Sequence, residues 1–166
     1  MMLHFVRALA IAASLSFVAL SAETVKVPNE EAPIATITIP EAWNSEPIDD
    51  GVAANSPDEA IFLAVVVVSS EKGMDAEIED TFEMLKEHKV ELDPASKKEN
   101  KFEINGLAAE EMLFQGKDED GPVAVSITFV TIKDKVVVLT YWVSTAEEKK
   151  HEAEVGKIVN SLRPAS

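Results

Sequence analysis

Cysteine is absent from the 166 residues, and that absence removes several classes at once. A chain without thiols holds no disulfide framework, no iron–sulfur cluster, no cysteine-type zinc site and no thiol nucleophile. It also lacks the N-terminal cysteine through which a lipoprotein is anchored. Basic residues are scarce as well: 15 Lys and Arg stand against 30 Asp and Glu, a net charge of −15 at pH 7. The richest cationic cluster, Lys97-Lys98 with Lys101, is interrupted by Glu99. No basic stripe is left to displace counterions from a phosphate backbone, so nucleic acid is excluded as a partner. Glycine is limited to 6 residues, and Trp and Tyr to Trp43, Trp142 and Tyr141. With 46% apolar residues, the composition is that of one packed domain rather than a linker-rich assembly.

The N-terminus carries an address. Arg7 precedes an apolar run from Ala8 to Leu20, and Ala19-Leu20-Ser21 supplies the small residues of a cleavage site. This pattern predicts a secretory signal peptide over residues 1–22, cut after Ser21 or Ala22. The run is short of the roughly 20 apolar residues that a membrane span needs, and acids rather than Lys and Arg follow it. The expectation is therefore an exported protein, bacterial periplasmic or extracellular, with no membrane anchor after cleavage. Zero cysteine fits that compartment better than a eukaryotic secretory route, where small domains are usually disulfide-bonded.

Residues 23–33 read as an extended lead-in, and 34–164 as a single domain. Ile34 to Ile39 alternates β-branched residues up to Pro40, Val52 to Asn55 is a short strand after the Asp49-Asp50-Gly51 turn, and Ala60 to Val68 is an apolar run. The period then lengthens to about 3.6. Ile78, Phe82 and Leu85 share one face of a helix from Met74 to Val90, stopped at Asp93-Pro94. Four strands follow: Lys101 to Ile104, Leu107 to Gly116, Val123 to Ile132 and Val136 to Val143. Asn105-Gly106 joins the first two, because both residues tolerate positive φ. The final helix carries Val155, Ile158, Val159 and Leu162 on one stripe, with Thr145 and Glu148 spaced as a capping box. Grouped strands with short hairpin links predict an α+β domain. Apolar character on both faces of its central strands predicts an α/β/α sandwich, mostly antiparallel, with one helix on each face.

Three segments resemble the Mog1/PsbP-like fold group, which includes photosystem oxygen-evolving accessory proteins and exported bacterial DcrB-like and DUF1795-type proteins. They are Ile37-Thr38-Ile39-Pro40-Glu41-Ala42-Trp43, Ile104-Asn105-Gly106-Leu107-Ala108-Ala109 and Ile158-Val159-Asn160-Ser161-Leu162. The resemblance frames nearly the whole mature chain. It implies a small binding or assembly module and carries no shared active site, so no residue role follows from it.

Candidate chemistry is sparse. His88 and His151 fall among polar helix positions without an H-E-x-x-H frame, which reads as surface. Glu110 and Glu111 interrupt an apolar strand, so at least one is partly desolvated; such a carboxylate either pairs with a cation such as lysine or does acid–base work. They point to opposite faces and cannot form a glycosidase pair. Asp118 and Asp120, in an acidic turn with Gly121, are oxygen ligands of the kind Ca²⁺ takes. Tyr141 and Trp142 also point to opposite faces, and with Trp43 they are the candidates for a ligand or partner groove. No Walker loop, nucleophile elbow or dinucleotide glycine pattern is present. The leading expectation is a non-catalytic accessory module that binds a protein partner or small ligand in the cell envelope, without a cofactor. The alternatives are a hydrolase or lyase using Glu110 or Glu111, and a calcium-dependent assembly protein using Asp118 and Asp120.

Overall fold

A computed structural model describes residues 21–68 and 73–166; residues 1–20, most of the segment expected to be a signal peptide, lie outside the described residues. The chain begins with β1 (Ala22–Val27) and β2 (Ala35–Pro40), then a single 3-10 turn, Glu41–Trp43. Next come β3 (Glu46–Ile48), β4 (Gly51–Asn55) and β5 (Ile61–Val67), followed by helix α1 (Gly73–Glu87). Four long strands follow, β6 (Glu91–Ile104), β7 (Leu107–Lys117), β8 (Pro122–Ile132) and β9 (Lys135–Ser144). Helix α2 (Glu148–Val159) and the two-residue strand β10 (Arg163–Pro164) close the order.

Seven strands form one antiparallel sheet in the order β3-β4-β5-β9-β8-β7-β6. β5, β9 and β8 lie inside it, and their largely apolar sequence follows from burial on both faces. On one side, Leu85 of α1 packs with Phe114, Val125, Ile127, Val138 and Trp142. On the other, Ile158 near the end of α2 and Leu162 just beyond it pack with Val65, Leu139 and Val143. That side carries a second layer component besides α2, a three-stranded sheet in the order β1-β2-β10, whose Ile37 and Ile39 enter the same core. The α/β/α sandwich expected from the sequence is present, with a small sheet sharing the α2 layer.

The elements differ from the sequence expectation in several places. β1 takes in Ala22, the last residue of the expected signal peptide, and the start of the segment read as a lead-in; it pairs with β2 from Ala22↔Pro40 to Val27↔Ala35, so the fold begins before Ile34. Asp93-Pro94 does not stop α1; the helix ends at Glu87, and the dipeptide lies inside β6. β6 is an edge strand, where a missing proline N–H costs no ladder bond. Asp93 pairs with Gln115 and Lys98 with Leu113, so Pro94 to Lys97 bulge out opposite Phe114 alone. The capping box does not close: the residue before α2 is Glu147 in helical conformation, and the Thr145 hydroxyl donates to the Pro122 carbonyl. By contrast, Asn105 and Gly106 adopt φ of 54° and 80°, as the hairpin requires. The Asn105 side-chain amide also donates to the carbonyls of Asn160 and Leu162, tying this hairpin to the end of α2.

Candidate functional site: a cleft between the final helix and the edge-strand bulge

The bulge in β6 stands away from the sheet and leaves a cleft of about 770 Å³ between itself and α2. One wall is Ala95 to Lys98, the other is α2 from Glu148 to Asn160, and β7, β8 and β9 make the floor. The bulge is fixed internally. Ser96 Oγ donates to the Asp93 carbonyl at 2.6 Å and accepts the Gln115 N–H at 2.8 Å, while Asp93 Oδ1 accepts the Ala95 N–H. The side chain of Ser96 thereby replaces a ladder bond that the bulge interrupts.

The floor combines hydroxyls with one carboxylate. Ser126 and Thr128 are buried, and Ser126 Oγ donates to Glu111 Oε1 at 2.7 Å. Glu111 Oε2 accepts from Asn100 Nδ2 at 3.0 Å, across the strand from its register partner. Tyr141, the single tyrosine of the chain, lies across from Ser126 and lines the same floor. Burial raises its phenol pKa, and the carboxylates of Glu111, Glu148 and Glu152 raise it further, against an opposing hydrogen bond from Ser126. At the cleft edge Phe102 is 39% exposed, one of two large hydrophobic side chains left open among the described residues.

A direct consequence is measurable. Phenolate absorbance of Tyr141 is expected to titrate above the ordinary value of 10.0, and Glu111→Gln is expected to lower the midpoint. The unfolded phenol ionises first as pH rises, so the unfolded state then binds fewer protons than the folded one. This contribution to stability is therefore complete below pH 10 and is lost as pH rises through the higher folded value.

The structure separates the groups that the sequence singled out. Glu110 points to the face opposite Glu111, is exposed and pairs with Lys101 at 2.6 Å. Glu111 alone reaches the cleft. Trp43 does not line a groove: it is 1% exposed inside the core, because it closes the turn that brings β2 over the sheet. Trp142 is also core, stacked on Phe62 at 4.3 Å, and His88 just beyond α1 lies against both rings. Of the three aromatic groove candidates, only Tyr141 is in the cleft. Asp118 Oδ1 accepts the N–H groups of Asp120 and Gly121 and so shapes its own turn, while Glu119 reaches Lys89.

His151 is the second correction, being 6% exposed rather than on the surface. Its position four residues before Val155 and seven before Ile158 puts it on the apolar stripe of α2, a signal legible in the spacing. Its Nε2 lies 3.0 Å from Asp58 Oδ2 and its Nδ1 3.7 Å from Glu154. Asp58, Glu147 and His151 bring three ligand-type atoms within 4.8 Å of one another. The chain's own cation sits among them, since Lys150 Nζ is 2.7 Å from Asp58 and 3.0 Å from Glu147. Lys150 and Ser56, by hydrogen bonding, hold the Asp58 carboxyl well below the usual carboxylate range. Its contribution to stability is present above pH 3.8 and is lost as pH falls toward the lower folded value. In a carboxyl-carbon NMR titration Asp58 is expected to stay ionised below the ordinary value of 3.8, and Lys150→Met to return it toward 3.8.

Among the described residues, these groups do not form a catalytic constellation. Ser126 donates to Glu111, yet it is 1% exposed and closed to a substrate. The floor strands are laddered on both sides, so their amides do not converge as an oxyanion site. Among the described residues, no helix is long and apolar enough to cross a membrane.

The fold has relatives among solved structures. CyanoP, the cyanobacterial PsbP of Synechocystis sp. PCC 6803, is 10% identical with a TM-score of 0.58, covering 93% of this chain and 99% of its own. LpqN of Mycobacterium tuberculosis is 11% identical at 0.51, covering 88% and 91%. The Ran-binding protein Mog1p of Saccharomyces cerevisiae is 12% identical at 0.50, covering 87% and 96%. No curated protein sequence matches the chain. At such identities the likeness speaks for the fold, the Mog1/PsbP-like group. A family model described as PsbP-like protein matches residues 19–163, nearly the full length, and the chain belongs to that family.

Proposed function

We propose that this is an exported, non-catalytic accessory module, periplasmic or extracellular, that binds a protein partner or small ligand through the cleft between α2 and the β6 bulge. The cleft is the observation that carries the reading. Its volume lies within the roughly 300–1,000 Å³ typical of ligand sites, and its lining mixes apolar side chains such as Phe102, Val155 and Val159 with fixed polar groups. Two fold neighbours agree with it: Mog1p is a Ran-binding protein and LpqN is involved in cell envelope biogenesis. An address of the signal-peptide type agrees with the second of these.

Site-specific photo-cross-linking in the native host tests the assignment. A photo-reactive residue in place of Lys97, on the bulge wall, is expected to give a discrete adduct. The same residue in place of Asp134, in the turn at the far end of β8 and β9, is expected to give none. No adduct from position 97, or the same adducts from both, would remove the cleft as the binding surface.

A further inference from the structure

Glu111 differs from the paired acids of this surface. Glu91, Glu99, Glu110 and Glu119 each meet a lysine ammonium within 2.9 Å, and Asp58 meets Lys150. Glu111 is half-buried, and both of its oxygens are held by neutral donors, Ser126 and Asn100. Among the described residues no Lys, Arg or His reaches it. A carboxylate partly removed from water, oriented on both oxygens and left without a counter-cation is prepared for a positive charge that the chain does not supply.

The surroundings favour the same sign. Glu148 and Glu152 stand on the α2 wall, and with Glu111 they act on the Tyr141 ring from two different elements. Opposing them are Lys97 and Lys98 on the bulge wall, of which Lys97 is neutralised by Glu99 at 2.7 Å. His151, on the α2 wall, is engaged with Asp58. Aromatic rings attract cations, and two of them, Phe102 at the edge and Tyr141 in the floor, line the cleft. Val143, Val155 and Val159 line the same cleft, which suits an apolar body attached to the charged head.

We propose that the cleft binds a small organic cation, an ammonium or guanidinium group on an apolar body, whose charge is received by Glu111 and whose body lies between α2 and Phe102. This specifies the ligand class of the binding site assigned above and rests on that assignment. The Ser126 and Asn100 hydrogen bonds fix the carboxylate before the ligand arrives, so little ordering is required on binding.

Tyr141, as the single tyrosine, gives a resolved probe: protein labelled with ¹³C-tyrosine shows one set of ring signals. Titration with n-hexylammonium is expected to move them saturably. Glu111→Gln is expected to weaken binding at least tenfold and Phe102→Ala severalfold, with both variants checked for native circular dichroism. Hexanol and hexanoate, of the same body but neutral or negative, are expected to bind no better than hexylammonium binds Glu111→Gln. Absence of a saturable shift, equal affinity in Glu111→Gln, or comparable binding of hexanoate would overturn the proposal. Binding of capped lysine amide without hexylammonium binding would also overturn it, by making the source a protein side chain rather than a small amine. A position-97 adduct together with a failed amine titration would leave the binding module standing and remove only the cation.

Discussion

Replacing Trp43 with alanine is expected to destabilise the domain by about 3–5 kcal/mol, the range for removing a large aromatic from a packed core. A natural domain is stable by only about 5–15 kcal/mol, so the variant should be partly unfolded or close to it near body temperature. The reason lies in position as much as in size. Trp43 closes the 3-10 turn after β2, and Asn44 behind it takes a left-handed conformation with φ of 47°, turning the chain toward β3. Its ring is 1% exposed in the core shared by Ile37, Ile39, Val65 and Leu139. It thus joins the small sheet to the large one, and removing it loosens that contact as well as leaving a cavity. One observation gives the prediction a finer edge: the Trp43 indole N–H is buried without a hydrogen-bond partner. Trp43→Phe removes that unpartnered donor while keeping most of the apolar volume, and should cost clearly less than Trp43→Ala. Denaturant melts of the two variants check the order. A cost for the alanine variant below about 1 kcal/mol, typical of a surface change, would contradict the core placement.

Trp43 also shows where sequence reasoning reaches and where it stops. A tryptophan after a proline-ended strand is equally compatible with a core anchor and with a groove, because the sequence does not say which surface passes over it. Features set by local rules were legible. Alternation in Ile34 to Ile39, the apolar run through Ala60 to Val68 and the Asn105-Gly106 turn all became the expected elements, since each encodes its own burial or backbone angle. Strands that bury little were not legible. Glu46–Ile48 is exposed throughout and β6 almost so, leaving no apolar period to detect. In β1 only Val25 and Val27 turn inward, a two-residue signal beside the acids and prolines of its flank.

The cleft depends on the least legible of these elements. Its wall is the bulge of an exposed edge strand, and nothing in Pro94 to Lys97 alone announces that β6 continues on both sides. Alternation did place Glu110 and Glu111 on opposite faces, which is why one is ion-paired in solvent and the other lines the floor. What alternation left open was the partner of each. That is decided by cross-strand register, Lys101 opposite Glu110 and Asn100 opposite Glu111. A one-residue slip in β6 would change both pairings. The same dependence on distant chain applies to His151, whose carboxylate neighbour Asp58 comes from the β4–β5 turn.

Gly51→Ala should be the most damaging single-methyl addition among the glycines of this chain, at about 1–3 kcal/mol or more. Gly51 follows the Asp49-Asp50 turn, starts β4 and pairs with Val66 of β5. A Cβ built there would fall inside van der Waals contact of the Val65 carbonyl oxygen, with the Val65 carbonyl carbon and Val66 Cα at 2.9 Å. All three atoms are backbone of an interior strand, so no side chain can swing aside. The β3–β4 hairpin would have to move off β5, straining the Asp50 carbonyl to Val67 N–H bond and the burial of Val52 and Ala54. For a domain of this size each kcal/mol lowers Tm by roughly 2–4 °C or somewhat more. Gly156 supplies the control of opposite sign. It lies inside α2, and a Cβ there meets nothing within 4 Å. Gly156→Ala is therefore expected to raise stability by about 0.5–1 kcal/mol through helix propensity. Thermal melts of the two variants should move in opposite directions. A Gly51→Ala protein as stable as the parent would mean that β4 does not approach β5 as closely as the register requires.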